Sequence, residues 1–411
     1  MTKHSFLPKP IYILFFILVL ISLFAYGIYV STPNNVFGND FFDFYTASQA
    51  AYIDGISPYS EEVELRNQLG LYGRPAEPGE NLMAFNYPPY ALFFFYPLAY
   101  LPIKWAQSFW FSFLLTVLLF SPILAFQKIP RWALFTYFFL YPISFGLVLG
   151  NFAILVFACL IFVISYLMYS KLTNQHSDVL CGILIALATI KPQFSLIFLL
   201  FILLFVFKHK KWLIFKTTMM SVGLLLALSF VFLPSWPMEW LNQIKRHAYF
   251  NDSIPHLTIF LQTFINDQLS SIISILLFIV LFLLLSWILY RWWQGKFNSF
   301  LILVFIGFLT YLIHPRSVSY EQMVFLLPFL IWIFSNPPSV STITKLSFWF
   351  SAILISWAGF FASKAGWASL FPLEWIFLFY LIWMGYIFLS PNAVHLQTYD
   401  STDPQTLVES N

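Results

Sequence analysis

Charge is scarce in this chain. Asp, Glu, Lys and Arg together make up 9% of its 411 residues, where a soluble globular chain carries about 25%. So few charges cannot cover a water-exposed surface, which excludes a soluble domain and makes lipid the expected solvent. Cysteine is nearly absent. Cys159 and Cys181 both lie in apolar runs, and they read as small buried hydrophobes rather than a disulfide or metal ligands. Basic charge is missing as a pattern too. The formal net charge is +3, no stretch resembles a basic recognition helix, and the aromatics belong to apolar spans, so nucleic acid is excluded as a partner.

What the chain does hold is apolar mass: 60% of it is hydrophobic and Phe alone occurs 52 times. Lys3 and Lys9 precede an apolar stretch from Ile11 to Val30. That is about the 20 residues of a spanning helix, longer than a signal-peptide core and with no small-x-small cleavage pattern after it. It reads as a retained signal anchor with a cytoplasmic N-terminus. The remaining runs bring the count to about 12 spans on a hydropathy reading. They are expected at 11–30, 88–101, 105–126, 132–149, 151–169, 180–207, 213–233, 268–290, 297–313, 320–335, 347–363 and 371–390, with 180–207 counted as one.

The fold class expected is therefore an all-α, polytopic integral membrane protein, with residues 1–390 forming one transmembrane domain. Lys208, Lys210 and Lys211, then Arg291, Lys296 and Lys345, mark the cytoplasmic side under the positive-inside rule. Residues 31–86 carry eight acids (Asp40, Asp43, Asp54, Glu61, Glu62, Glu64, Glu77 and Glu80) against Arg66 and Arg74, which makes this loop extracytoplasmic. Lys128, Arg131 and Lys171 fall on the outside in this arrangement. Segments 234–256 and 314–319 share the outer face with the long loop. Within that loop, 41–54 and 61–69 read as short interfacial helices, with Ser60 as an N-cap and Gly55 and Gly70 as C-terminal stops. After about residue 391 the chain is polar and without Lys or Arg, the composition of a disordered cytoplasmic tail.

Three constellations stand out against this apolar ground. Asp40 and Asp43 open the long loop in Gly38-Asn39-Asp40-Phe41-Phe42-Asp43. They read either as a capping box, with Asp40 as N-cap and Asp43 reaching back, or as a general base beside an apolar wall. One residue can do both. Lys191 sits near the middle of the 180–207 run, followed by Pro192. A charge at that depth costs about 2.5–3.5 kcal/mol by insertion scales unless it faces a cavity, a partner or a route to the interface. Its ammonium suits a phosphate, and Pro192 frees backbone carbonyls that are tolerated where they line a cavity. The third is His314-Pro315-Arg316-Ser317-Val318-Ser319-Tyr320-Glu321-Gln322, either an ordinary interfacial loop or a site with Arg316 gripping phosphate bidentately. His247, Asn251, Asp252 and His256 are candidates to line a site, without metal-ligand spacing. Tyr87-Pro88-Pro89 reads as a rigid lead into a span and Gly150-Asn151 as a helix break.

Taken in series, these segments resemble glycosyltransferase family 87, membrane enzymes of the GT-C type that use polyprenyl-phosphate sugars. The pieces are Asp40-Phe41-x-x-Phe44-Tyr45-x-Ala47, Gly55-x-Ser57-Pro58-Tyr59, Tyr87-Pro88-Pro89, and Tyr96-Pro97-Leu98-x-x-Leu101-Pro102. Gly182-x-x-x-Ala186-x-Ala188-x-x-Lys191-Pro192 and Ser319-Tyr320-Glu321-Gln322 ahead of Leu327-Pro328 complete the series. The resemblance implies a catalytic aspartate in the first outer loop, the position of Asp40, and lipid-phosphate binding near Lys191-Pro192. Many relatives carry Gly-Gln where this chain has Gly150-Asn151, and a Trp with nearby histidines where Tyr320, Glu321 and Gln322 stand.

The function expected is transfer of a hexose or pentose, mannose first, from a polyprenyl-phosphate donor to an extracytoplasmic glycan or glycolipid acceptor. It proceeds with inversion at the cell membrane and with no cofactor or metal. Asp40 is the expected base and Asp43, Tyr45, Tyr59 and Glu61 its supporting residues. Lys191 and Arg316 are expected on the donor phosphate, with His314, Tyr320, Glu321, Gln322, Asn251 and His256 lining the site. The alternative is a polytopic transporter or lipid flippase. Against it, the C-terminal half carries no second copy of the 31–86 loop or of the Lys191-Pro192 break, although transporters tend to pair such halves.

Overall fold

Where an apolar run holds several prolines, as over 88–102, it breaks into short pieces; a single Pro122 near the end of 103–125 leaves that run one long helix. A computed structural model of the chain describes residues 10–32, 38–77, 80–126, 129–169, 174–250, 254–313, 319–365 and 375–390. Helices α1 (Pro10–Ser31), α2 (Asn39–Gln49) and α3 (Glu61–Tyr72) come first, then the short α4 (Tyr96–Ala99) and α5 (Ile103–Ala125). Helices α6 (Arg131–Thr136), α7 (Tyr141–Leu149), α8 (Phe152–Tyr169), α9 (Gln175–Ala188), α10 (Pro192–Lys208), α11 (Trp212–Phe232) and α12 (Trp236–Phe250) follow. The chain continues through α13 (His256–Gln262), α14 (Asp267–Trp293), α15 (Ser299–Ile313), α16 (Leu327–Ser335), α17 (Thr342–Lys364) and α18 (Trp375–Leu389). No β-strand occurs among the described residues.

Among those residues, α5, α8, α11, α14 and α17 are long and apolar enough to cross a membrane. A sixth is added if the bent pair α6–α7 is one broken span; α9, α10, α15, α18 and Phe16–Ser31 are shorter apolar helices. The bend of 61° falls at Leu140, whose backbone is extended, two residues ahead of Pro142, which has no N–H to continue the ladder. Two expected spans are corrected. In place of 88–101 stand a 3-10 turn, Pro89–Phe94, and the four-residue α4, because Pro88, Pro89, Pro97 and Pro102 repeatedly remove donors. In place of 320–335 stand a 3-10 turn, Ser319–Met323, and the short α16.

The single run expected over 180–207 is likewise two helices, α9 and α10, parted at Thr189–Lys191. Pro192 is suited to the first position of α10, where its missing N–H costs nothing. The Ala188 carbonyl, left without a helical partner, accepts from the Ser195 hydroxyl at 2.7 Å. The expected loop at 234–256 is largely helical, as α12.

The chain forms two compact units. One comprises residues 1–120, 147–151 and 228–251. Its centre is aromatic: Phe41, Phe44, Phe85, Phe95 and Trp110 are all buried, with Phe95 on Trp110 at 4.6 Å and Phe44 edge-on to Tyr87 at 5.1 Å. The other comprises residues 121–146, 152–227 and 252–411. Its α8 is apolar all round and buried nearly all round, as a helix of that pattern must be. By contrast α14 leaves Ile275, Leu276, Ile279, Val280 and Leu283 more than half exposed. A face that apolar needs lipid or protein against it, not water.

Candidate active site

The long loop begins with a change of direction. Gly38 has φ +95, and a Cβ there would lie 2.8 Å from the carbonyl oxygens of both Val148 and Leu149. The start of α2 thus abuts the end of α7. Asp40 lies in the first turn of α2, where the unpaired N–H groups of a helix start favour negative charge. Its half-exposed carboxylate accepts from the Asn151 amide, Nδ2 to Oδ2 at 2.8 Å. The same Nδ2 lies 3.1 Å from the Tyr87 hydroxyl, and that hydroxyl lies 3.4 Å from Asn151 Oδ1. Tyr87 is tied in turn through its own carbonyl, which accepts from the Tyr59 hydroxyl at 2.7 Å.

The capping-box reading of the two acids is corrected. The N-cap of α2 is Gly38, with no side-chain cap, so Asp40 is inside the helix and Asp43 lies one turn beyond it. Asp43 is 8% exposed and accepts from the Asn67 amide, which also donates to the Met83 carbonyl at 2.9 Å. Burial pushes the Asp43 carboxyl well above the usual carboxylate range; the charges of Asp40 and Glu64 add to this, and the Asn67 hydrogen bond opposes it. Asp43 is a buried structural acid whose neutral form burial favours, and Asp40 is the carboxylate left in reach of solvent.

The helix α2 runs on through a π-helical turn, Ala50–Asp54, to Gly55 in the left-handed region, the expected stop. Ser60 caps α3 by accepting from the Val63 N–H. The stop expected at Gly70 is corrected to Gly73: Gly70 lies within the helix, with the Phe42 ring packed where a Cβ would be. The Tyr45 hydroxyl donates to the Leu101 carbonyl at 2.8 Å and accepts from Gln49. Burial raises the Tyr59 hydroxyl above its usual range, helped by the charge of Glu239.

Glu61 is exposed and meets Arg246 of α12 at 3.0 Å. Arg246 also pairs with Glu64 at 2.8 Å and reaches the Tyr59 carbonyl, while Gln243 donates to Glu64 at 2.6 Å. Ser57 and Ser235 both donate to Glu239, and Trp240 donates to the Asn86 carbonyl at 3.0 Å. These contacts seat α12 against the loop by its polar side. Sequence reasoning missed Asn151, Tyr87 and Asn67 as polar partners and Gln243 and Arg246 as a clamp. Arg246 left a signal as one of the few cations of a charge-poor chain, beside Lys245, and Tyr87 and Asn151 stood in motifs read only as backbone features.

The second unit holds Lys191. It is 1% exposed, and its ammonium lies 2.6 Å from Glu321, 3.4 Å from the Tyr320 hydroxyl and 4.6 Å from the centre of that ring. The lysine is therefore a partner of two residues singled out independently, and not a snorkelling side chain. Gln322 is half-buried in the same 3-10 turn. The His256 ring stacks on Tyr311 at 4.7 Å. Asn251, Asp252, His314 and Arg316 lie outside the described residues. Among those described, no group of three or more His, Cys, Asp and Glu is placed to hold a metal.

The model of glycosyltransferase family 87 matches residues 85–315, more than half of the 411. The chain belongs to glycosyltransferase family 87. It is accordingly a membrane glycosyltransferase, which decides against the transporter. The family match includes Tyr87, Asn151 and Lys191 and begins after Asp40. No curated protein and no solved structure matches the chain.

Proposed function

We propose that this family 87 enzyme transfers a monosaccharide, mannose first, from a polyprenyl-phosphate donor to a glycan or glycolipid acceptor, with inversion and with Asp40 as general base. The frame would be polytopic and of GT-C type, both termini cytoplasmic and the chemistry on the extracytoplasmic face of the cell membrane. The observation that carries the reading is the Asp40 carboxylate: half-exposed, in the first turn of α2, and fixed by an amide donor. Such a group can take the proton of an acceptor hydroxyl as that hydroxyl attacks the anomeric carbon, while the donor phosphate leaves with the bonding electrons. Base assistance is worth roughly 10²–10⁴, and orientation of the reactants supplies much of the rest.

Lys191 keeps the role of a phosphate-binding cation in this reading. The donor's phosphodiester carries one negative charge, as Glu321 does, and the phosphate gains charge as the sugar departs, so the ammonium would favour the leaving group over the donor. The test is Asp40→Asn in membranes supplied with radiolabelled polyprenyl-phosphate mannose. The expected outcome is transfer reduced at least 10²-fold at normal expression. Transfer at the wild-type rate would rule Asp40 out as the base, and the absence of mannose transfer by the wild-type chain would rule out that sugar.

A further inference from the structure

We infer that Asn151 is the positioning residue of the Asp40 carboxylate, its amide held in place by Tyr87 and its backbone held by the turn at Gly150. The role in catalysis rests on Asp40 being the base; the positioning itself does not.

Few groups can face an ionised carboxylate. An amide offers a donor end and an acceptor end, and the acceptor end is repelled. The NH2 end of Asn151 faces Asp40. The carboxylate sets that choice, and Tyr87 holds the amide in place, its hydroxyl lying at hydrogen-bond distance from both Nδ2 and Oδ1. Asn151 is 2% exposed and Tyr87 8% exposed, so water does not compete for these bonds. The backbone is constrained as firmly. Gly150 has φ +71, its N–H bonds to Leu147 at 3.0 Å, and its carbonyl accepts from the Trp110 indole at 2.7 Å. A Cβ at 150 would lie 2.9 Å from the Cβ of Phe41, the neighbour of Asp40. Asn151 is thus carried by a turn pressed against the residue next to the carboxylate it serves. A hydrogen bond donated to the ionised form favours that form and narrows its orientation.

The experiment uses full-length chains in nanodiscs: wild type, Asn151→Ala, Asn151→Gln, Tyr87→Phe and Asp40→Asn. Carbodiimide modification of Asp40, read by mass spectrometry across a pH series, reports the carboxyl's protonation midpoint without any sugar donor. The expected result is a midpoint raised by about one pH unit in Asn151→Ala, the pH equivalent of a hydrogen bond to a charged group. Tyr87→Phe should move it part of the way, and Asn151→Gln should restore part of the difference.

With polyprenyl-phosphate mannose as donor, the acid limb of kcat/KM should move up with the midpoint. In Asn151→Ala, kcat should fall about ten-fold or more with the donor KM unchanged, a share of what base assistance supplies. A midpoint and acid limb that stay at the wild-type pH in both Asn151→Ala and Tyr87→Phe would overturn the inference and leave Asn151 a packing residue. Tyr87→Phe keeps the ring, so that outcome does not depend on Asn151→Ala folding normally. Transfer retained by Asp40→Asn would overturn the base reading alone, since the midpoint shift is measured independently of transfer.

Discussion

Asp40 and Asp43 stand three residues apart on one helix, yet their surroundings divide their work. Asp40 meets solvent and an amide donor, whereas Asp43 is enclosed and raised well above the usual carboxylate range by burial, then by the charges of Asp40 and Glu64. The consequence for stability has a definite sign. An unfolded aspartate titrates near pH 4. Between that value and the raised one, the folded chain holds a proton that the unfolded chain gives up. Asp43 therefore stabilises fully below about pH 4, and its contribution is lost as pH rises through the folded value. Thermal unfolding of solubilised wild type and Asp43→Asn should show a gap that changes with pH in favour of the variant as pH rises. A constant gap across the series would mean that Asp43 is not the proton binder.

The elements show what was legible in the sequence and what was not. The runs that became α5, α8, α11, α14 and α17 were legible because twenty or so apolar residues in lipid have few alternatives to a helix. Pro-rich 88–101 was not, because hydropathy counts proline as neutral while the backbone does not. The stop was expected at Gly70 and falls at Gly73; the Phe42 ring, 28 residues upstream, fills the space beside Gly70 that a side chain would take. The turn at Gly150 is legible as a break, but its purpose depends on Asp40, which lies 111 residues before Asn151. Gly150→Ala tests this element directly. It places a side chain in the left-handed region and against Phe41, which should cost about 1–3 kcal/mol. Transfer should fall more than stability does, read as specific activity per folded protein by size-exclusion profile. Full activity in the folded fraction would show that the turn does not carry the site.

At the scale of the whole molecule, the sequence announced the class and the family resemblance pointed to the enzyme. Both rest on distributed properties, apolar mass and ordered short motifs, that survive local error. Pairings were less visible. Lys191 and Glu321 each stand out as charged in a charge-poor chain, but 130 residues separate them and nothing local foretold the 2.6 Å contact. The clamp of Arg246 on Glu61 and Glu64 was hidden for the same reason. It explains an inversion in α12, which turns Gln243 inward and leaves Met238, Leu241 and Ile244 exposed.

Cys159 and Cys181 are both free and buried, at 3% and 0% exposure. To a charged maleimide the native chain is a blank page, so any thiol written onto its outside can be read without first erasing the natural ones. Two such letters on α12 would tell water from lipid: a cysteine at Asn242 should label promptly and one at Leu241 slowly. Equal labelling of the two would put the whole circumference of α12 in water.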